Sequence, residues 1–327
     1  MKTLQNIKIS NFLLQSGEVC KINLTYQSFG LPIGMAPIVL VNHALTGNSN
    51  VTGETGWWND VVGEDKVIDT KKYTIIAFNI PGNGYDAISE NLIENYKSFT
   101  TKDVASLFWK GLEYLKINQL FAVIGGSLGG AIAWEMAFIK PNSIHNLIPI
   151  ASNWKANDWL IGNVLVQDAI LNNSKNPIHD ARLHAMLLYR TPQSLTAKFN
   201  SEKNNNQEIY KVESWLLHHG EKLTGRFELS SYKLMNHLLK TIGENSSEND
   251  LQEFAKISST KIHQIAINSD YFFAPNENIK THNLLSIITN NLSYHEINSI
   301  HGHDAFLIEY KSLNNILKTI FNTKHTT

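Results

Sequence analysis

Residues 121–130, which read FAVIGGSLGG, constrain the fold more than any other stretch of the chain. Gly125 to Gly129 fit the pattern G-x-S-x-G, in which a sharp turn from a strand into a helix exposes the serine hydroxyl. The alternative is that the glycines only let a helix pack closely against a sheet. The β-like run before Ser127 and the small-residue helical segment after it favour the sharp turn. The pattern therefore predicts Ser127 as a nucleophile.

The segments around this turn alternate between strand and helix patterns. Strand-like apolar runs occupy APIVLVNHALTG (36–47) and KKYTIIAFNIPGNG (71–84). Between Thr100 and Ile117 the apolar residues recur at helical spacing, with Thr100 or Thr101 as the N-cap. After the serine turn, the helical segment AIAWEMAFIK precedes another apolar run, HNLIPIAS. This alternation predicts a mostly parallel sheet that is flanked by helices on both faces.

Residues 152–258 show a different pattern. Strand signals disappear, and amphipathic stretches such as WLIGNVLVQDAILNN and DARLHAMLLYRTPQSLTAKF take their place. The polar run SEKNNNQE (201–208) predicts an exposed loop, and the strand–helix alternation returns with KIHQIAINSD. We therefore predict one α/β core domain, residues 1–151 and 259–327, that is interrupted by a helical lid of residues 152–258.

Composition argues against several functional classes. The net charge of −1 gives no electrostatic footprint for nucleic acid or for an anionic membrane. Cys20 is the only cysteine, so the chain has neither an intramolecular disulfide nor a thiolate metal site, and no H-E-x-x-H motif occurs. We therefore expect no metal. The N-terminal residues lack the apolar core of a signal peptide, and no stretch is apolar enough to span a membrane, which predicts a cytoplasmic protein.

A serine nucleophile needs a base, and the base needs an acid that orients it. After a G-x-S-x-G turn these partners follow in the order Ser, Asp or Glu, His, each in a loop after a later strand. Asp270 ends the strand-like run KIHQIAINS, and His303 lies in the glycine-containing loop after NLSYHEINSI. We therefore predict Ser127, Asp270 and His303 as the catalytic residues. The alternatives are His301 and His295 for the base, and Glu277 for the acid.

Acyl transfer also needs hydrogen-bond donors for the oxyanion of the tetrahedral intermediate. One donor should be the backbone N–H of Leu128, directly after the nucleophile. The other should come from the loop after an early strand, and HALTGNS (43–49) is such a loop. We predict the backbone N–H of Leu45 as the second donor. The alternative is that this segment is an ordinary turn between a strand and a helix.

Six segments between residues 42 and 307 match one known family: NHALTGNS, GWWNDVVG, IGGSLGG, ARLHAMLLYRT, VESWLLHHGEKLTGRF and GHDAFL. Together they resemble the homoserine O-acetyltransferase family, α/β-hydrolase-fold enzymes that acylate a small amino-acid alcohol. The resemblance implies an α/β-hydrolase fold with a mostly parallel central sheet, flanking helices and a helical lid inserted before the strand that carries the acid. It also selects His303 over His301 as the base.

The resemblance further implies a reaction and a set of substrate-binding residues. Ser127 would take an acetyl group from acetyl-CoA, and the hydroxyl of L-homoserine would then attack the acyl-enzyme in ping-pong order, as a step of methionine biosynthesis. Arg182 would bind the substrate carboxylate with Tyr189 beside it, and Asp304 would bind the ammonium. Arg182 and Tyr189 are seven residues apart, as in the family, which places them on one helix face. Arg190 is the neighbouring alternative to Arg182.

One segment departs from the family pattern. After YTIIAFN the family usually carries a longer Gly/Ser/Thr/Pro-rich loop, whereas this chain has only IPGNGYDAISENLIENYKSF. The alternatives are therefore an O-succinyl or L-serine-accepting transferase of the same family, or a carboxylesterase. No cofactor is expected to stay bound, because acetyl-CoA would be a substrate. The resemblance also implies a homodimer that forms through lid helices.

Overall fold

An eight-stranded sheet forms the centre of the computed structural model, which describes residues 3–204 and 208–321. Its strands lie in the order β1-β2-β6-β3-β7-β8-β9-β10, and β4 and β5 form a separate parallel pair. The strands are β1 Gln5–Leu13, β2 Val19–Gly30, β3 Ile38–Asn42, β4 Val62–Gly63, β5 Ile68–Asp69, β6 Thr74–Phe78, β7 Leu120–Gly126, β8 Ile144–Ile150, β9 Lys261–Ile267 and β10 Leu292–Ile297.

Six adjacent strands, from β6 across to β10, are parallel, while β1 and β2 add an antiparallel hairpin at one edge. The predicted mostly parallel sheet is confirmed. The sequence analysis did not predict the hairpin because most of β1 is exposed and gives only a weak apolar pattern. By contrast, β3 and β6 are buried along their whole length and appear in the sequence as continuous apolar runs.

Helices cover both faces of the sheet. They are α1 Thr101–Tyr114, α2 Leu128–Ile139, α3 Asp158–Asn173, α4 Pro177–Tyr189, α5 Pro192–Phe199, α6 Lys211–Thr224, α7 Leu229–Lys240, α8 Glu248–Ile257, α9 Pro275–Ser286 and α10 Tyr310–Phe321. Thr100 is the N-cap of α1 and forms a capping box with Asp103, in agreement with one of the two predicted caps. The apolar residues of α1 and α2 pack on one face, and those of α10 pack with Trp58 on the other.

Between β8 and β9 the described chain forms six helices, α3 to α8. The amphipathic stretch that ends near Phe199 is two helices, because Thr191 caps α5 and Pro192 occupies its first turn. Of the predicted loop at 201–208, residues 205–207 lie outside the described part of the chain. The division into a core domain and a lid stays a prediction. Within residues 3–204 and 208–321, no helix has both the length and the hydropathy to cross a bilayer.

The turn between β7 and α2 both exposes Ser127 and lets a helix pack closely against the sheet, the two roles considered for its glycines. Ser127 has φ +58° and ψ −127°, a conformation that is strained for a residue with a side chain. In the next turn of backbone, Gly129 touches β3: a β-carbon there would lie 2.3 Å from the carbonyl oxygen of Asn42. The turn presents Ser127 at the edge of the sheet, and the missing side chain at position 129 lets α2 pack against the sheet.

Replacing Gly129 by alanine should therefore destabilise the protein, whereas the same change at Gly162 should not. Overpacking of this kind costs about 1–3 kcal/mol. Gly162 is in α3, and a β-carbon added there would meet no atom within 4 Å, so Gly162→Ala should stabilise by up to about 1 kcal/mol. Urea unfolding of the two variants measures both effects. Equal midpoints would contradict the steric explanation for Gly129.

Candidate active site

The three predicted catalytic residues lie at the carboxyl ends of neighbouring parallel strands. Ser127 directly follows β7, Asp270 lies three residues after β9, and His303 lies in a 3₁₀ turn, Gly302–Leu307, after β10. Since β7, β8, β9 and β10 are adjacent in the sheet, their carboxyl ends share one edge. The topology therefore brings together three residues that are far apart in sequence.

Hydrogen bonds connect these three side chains in a line. Nε2 of His303 lies 2.9 Å from Oγ of Ser127, and Nδ1 of His303 lies 2.7 Å from Oδ2 of Asp270. The other carboxylate oxygen of Asp270 accepts from the backbone N–H groups of Phe272 and Phe273, at 2.7 and 2.9 Å. An ionised Asp270 can only accept, so Nδ1 carries the proton and Nε2 is free to take the serine proton.

The alternatives for base and acid bond elsewhere. Nδ1 of His301 lies 2.9 Å from Oγ of Ser194, and Nε2 of His295 lies 3.2 Å from Oγ of Ser293. Glu277 pairs with Lys280. None of the three alternatives bonds to Ser127 or to His303. The geometry therefore supports His303 and Asp270, whose catalytic roles stay a prediction.

Aromatic rings surround the imidazole of His303. The ring centroids of Phe272, Tyr189, Phe273 and Phe306 lie 5.2, 5.4, 5.6 and 5.9 Å from that of His303, which is 3% exposed. Such packing fixes the ring and keeps bulk water away from the bond between His303 and Ser127. Electrostatic interactions at the serine are stronger in this environment than they would be in water.

Two backbone donors near Ser127 are free, as an oxyanion site requires. Neither the N–H of Leu45 nor that of Leu128 has an acceptor within the described residues. The loop that carries Leu45 packs against the serine turn, since Nδ2 of Asn42 donates to the carbonyl of Gly129 at 3.3 Å. Both predicted donors are thus available, and their role at an oxyanion stays a prediction.

His43, which the sequence analysis missed, fixes the peptide that carries the N–H of Leu45. The backbone N–H of Ile80 donates to Nε2 of His43 at 3.0 Å, so Nδ1 carries the proton and donates to the Ala44 carbonyl at 2.7 Å. The N–H of Gly47 donates to the same carbonyl at 2.9 Å. Because C=O and N–H point in opposite directions across a trans peptide, holding this carbonyl orients the N–H of Leu45.

Burial keeps His43 in the form that this arrangement needs. Burial lowers the pKa of His43 to about 4, against a smaller opposite effect of its hydrogen bond to Ala44. The imidazole therefore stays neutral at ordinary pH, with one nitrogen donating and the other accepting. The segment NHALTGNS contained the signal, because a histidine that directly follows a buried strand is a candidate for fixing the next turn.

Arg182 and Tyr189 lie on one face of α4, as predicted. Cζ of Arg182 is 5.7 Å from the centre of the Tyr189 ring, which in turn packs against His303. Burial raises the pKa of the Tyr189 phenol to about 12, so this hydroxyl stays a donor. The predicted group therefore extends from His303 to the guanidinium of Arg182.

Asp304 directly follows His303 in the 3₁₀ turn. Burial raises the pKa of its carboxyl, and the nearby His303 and arginines oppose that rise. Within the described residues, the side chains of Asp304 and Arg182 form neither a hydrogen bond nor an ion pair. An acidic and a basic side chain beside the predicted catalytic residues are thus unpaired in this part of the chain. No group of three or more His, Cys, Asp or Glu residues in the described ranges could hold a metal ion.

Comparison with known proteins agrees with this geometry. The family model for the alpha/beta hydrolase fold matches residues 37–233. The homoserine O-acetyltransferase of Cyclobacterium marinum is 32% identical, over 94% of this chain and 92% of that protein. The chain belongs to the homoserine O-acetyltransferase family. That membership confirms the resemblance predicted from the six sequence segments.

Solved structures with low sequence identity share the fold. The homoserine O-acetyltransferase from Bacillus anthracis superposes with a TM-score of 0.86 at 17% identity, over 99% of each chain. An acetylester hydrolase from Corynebacterium glutamicum superposes with a TM-score of 0.80 at 18% identity, over 98% of this chain and 96% of that one. Because a transferase and a hydrolase both share this fold, the acceptor must be argued from individual residues.

Two replacements of His43 should separate its two hydrogen bonds. Asn places an amide nitrogen near the position of Nδ1 and can still donate to Ala44, whereas Gln places an oxygen near Nε2 and can still accept from Ile80. His43→Gln should slow acylation of Ser127 by p-nitrophenyl acetate roughly 10- to 100-fold, since an oxyanion donor is worth about 10²–10³ in rate. His43→Asn should slow it less than about threefold while costing about 1–3 kcal/mol for the unpaired Ile80 N–H.

Stopped-flow release of p-nitrophenol measures the rate, and urea unfolding measures the stability. A structural role alone would slow the reaction in step with the loss of stability. If the less stable variant is also the slower one, His43 does not act through the Leu45 peptide.

Proposed function

We propose that this member of the homoserine O-acetyltransferase family transfers an acetyl group from acetyl-CoA to the hydroxyl of L-homoserine through an acyl-enzyme on Ser127. The observation that carries the proposal is the pair of unpaired charges, Arg182 and Asp304, beside the candidate catalytic residues. Charged groups that are withdrawn from water destabilise a protein unless a partner compensates them. Here the substrate would be that partner.

L-homoserine matches this arrangement group by group. Its carboxylate would bind the planar guanidinium of Arg182, which favours two-point contact with carboxylates. Its ammonium would bind Asp304, and the hydroxyl of Tyr189, which lies near both side chains, would be a further donor. Since Asp304 adjoins His303, an amino acid bound in this way would bring its hydroxyl towards the base. A simple ester needs none of these charged contacts.

The first half-reaction would acylate the serine. His303 takes the Ser127 proton on Nε2 while Oγ attacks the thioester carbonyl, and the N–H groups of Leu45 and Leu128 stabilise the oxyanion. As the tetrahedral intermediate collapses, the C–S bond breaks and the proton on His303 passes to the departing thiolate. Asp270 stabilises the imidazolium between these steps.

The second half-reaction would run the same steps with a different nucleophile. After CoA leaves, His303 takes the proton of the homoserine hydroxyl, and that oxygen attacks the acyl carbonyl. Collapse of the second tetrahedral intermediate returns the proton to Ser127 and releases O-acetyl-L-homoserine. Acetyl-CoA is a substrate in this scheme and no bound cofactor is needed. Methionine biosynthesis in the cytoplasm would be the corresponding pathway and location.

A homodimer is the proposed assembly. The outer side of α3 exposes large apolar side chains: Trp159, Ile161, Leu165 and Val166 are between 41% and 69% exposed. Exposed apolar side chains that lie together on one helix support a protein–protein contact. Sedimentation of the wild type and of Leu165→Glu tests this part of the proposal, because the charge should convert a dimer to a monomer.

The reaction itself is tested by release of CoA thiol from acetyl-CoA with and without L-homoserine. Mass spectrometry of the products separates O-acetylhomoserine from acetate, and Ser127→Ala is the control. We expect homoserine-dependent release that yields the ester and disappears in Ser127→Ala. Parallel reactions with succinyl-CoA and with L-serine test donor and acceptor choice. Release of acetate at the same rate without homoserine would make the protein an esterase.

Arg182→Gln and Asp304→Asn should weaken acceptor binding without affecting acylation. Each variant loses one charged contact with the amino acid, which is worth about 1.5–3 kcal/mol, so the KM for L-homoserine should rise roughly 10- to 100-fold. The rate of Ser127 acylation by p-nitrophenyl acetate should change less than about twofold, because that ester carries neither charge. Equal losses in both assays would mean that these residues support the fold and do not bind the acceptor.

A further inference from the structure

The three arginines of the chain, Arg182, Arg190 and Arg226, all belong to the helical segment beside the site. Arg182 is on α4, Arg190 ends that helix, and Nη1 of Arg226 donates to the Thr46 carbonyl at 3.0 Å. None of the ion pairs in the described ranges involves an arginine. Arginine side chains without an ion-pair partner are available to an anionic ligand.

Arg190 and Lys198 both lie close to the ring of Trp215. Cζ of Arg190 lies 5.8 Å from the centre of the Trp215 ring, and Nζ of Lys198 lies 5.0 Å from it. Arg190 is 8% exposed, and its guanidinium bonds to two uncharged groups, the hydroxyl of Ser194 and Nδ1 of His301. Burial and, after it, the charge of Arg190 lower the pKa of Lys198, so the two cations repel and an anion bound near both would be favourable.

A further lysine, Lys222, lies on the same face of α6. His219 beside it is neutral at ordinary pH, because burial and the nearby cations lower its pKa to about 4. Trp215, His219 and Lys222 are spaced by four and three residues, which places them on one side of the helix. His219 packs against Trp215 with ring centroids 4.5 Å apart. Gly220 brings this helix close to α4, because a β-carbon there would lie 2.4 Å from the His179 ring.

This basic face ends at the loop that carries a predicted oxyanion donor. Arg226 follows α6, and its bond to Thr46 places it beside Leu45. From Trp215 to Arg226 the helix axis covers roughly 15 Å. An extended ligand could therefore have its reacting end near Leu45 and its anionic end near Trp215.

We propose that the cationic cluster, defined as Arg190, Lys198 and Lys222 around Trp215, binds the phosphate groups of the acyl-CoA donor. This inference rests on the proposed function, since acyl-CoA carries its thioester at one end and its phosphates at the other. The homoserine carboxylate is a different anion and is assigned to Arg182. The three cluster residues would then hold the nucleotide end of the donor and take no part in the chemistry.

Charge reversal of the two exposed lysines tests the proposal. Lys198→Glu and Lys222→Glu leave the buried Arg190 intact, and Lys21→Glu on β2 is the matched control, because Lys21 is exposed and has no ion-pair partner among the described residues. The donors are acetyl-CoA and S-acetylpantetheine, which keeps the thioester arm and lacks every phosphate. We expect each cluster variant to lose about tenfold in kcat/KM for acetyl-CoA, which corresponds to about 1.4 kcal/mol.

With S-acetylpantetheine the same variants should match the wild type within about twofold, and Lys21→Glu should match it with both donors. Added salt should lower the wild-type kcat/KM for acetyl-CoA more than that for S-acetylpantetheine. Equal losses with both donors, or no loss with either, would overturn the cluster as a phosphate site.

A binding measurement separates this inference from the proposed function. Calorimetry with 3′,5′-ADP measures the cluster without any reaction, and we expect about tenfold weaker binding by Lys198→Glu than by Lys21→Glu. If the wild type forms no acetylhomoserine from either donor, the proposed function fails and calorimetry alone decides. Equal affinity of the two variants for 3′,5′-ADP would then reject the phosphate site as well.

Discussion

The site depends on one strained residue at the end of one strand. Ser127 lies between the carboxyl end of β7, an inner strand of the sheet, and the first residue of α2. Because α2 begins at once, Ser127 holds φ +58°, and its N–H is bonded to the carbonyl of Ile150 on the neighbouring strand β8. Strain of this kind persists only where the surroundings over-determine it. Gly129 makes these surroundings possible, because α2 could not touch β3 if position 129 carried a side chain. The predicted nucleophile, one predicted oxyanion donor and the start of α2 thus come from a single turn.

A second constraint is the placement of charge in a partly buried site. Asp270 is fully bonded by His303 and by two backbone N–H groups, so its negative charge is satisfied within the protein. Asp304 is only one residue from the base and has no such partners among the described residues. The two carboxyl groups therefore suit different tasks: Asp270 would orient His303, and Asp304 would be free for a cation from outside. Arg182 has no hydrogen-bond partner in the described ranges, and Arg190 bonds only to uncharged groups, so neither guanidinium has an opposite charge bound to it there.

Sequence patterns predicted the features that depend on local periodicity and strand order. Ser127, Asp270 and His303 could be placed because each follows a recognisable strand, and Leu128 and Leu45 follow from that placement. His43 and the hairpin of β1 and β2 were missed for physical reasons. The role of His43 depends on a bond from Ile80, 37 residues away, and the hairpin is mostly exposed along β1 and carries little apolar signal there. Side-chain contacts between distant segments leave no local pattern in the sequence, so the cationic cluster around Trp215 could be identified only from the structure.

The difference between a transferase and a hydrolase on this fold lies in which nucleophile reaches the acyl-enzyme. The aromatic rings around His303 limit access for water but do not select an acceptor, since they would surround the base equally in an esterase. Arg182 and Asp304 can select one, because both side chains are partly buried without a partner in the described ranges and a bound amino acid would supply the missing partners. A bound homoserine would then exclude water, the competing nucleophile, from the acyl-enzyme. Selection of homoserine and protection of the acyl-enzyme would thus be two results of the same pair of charges.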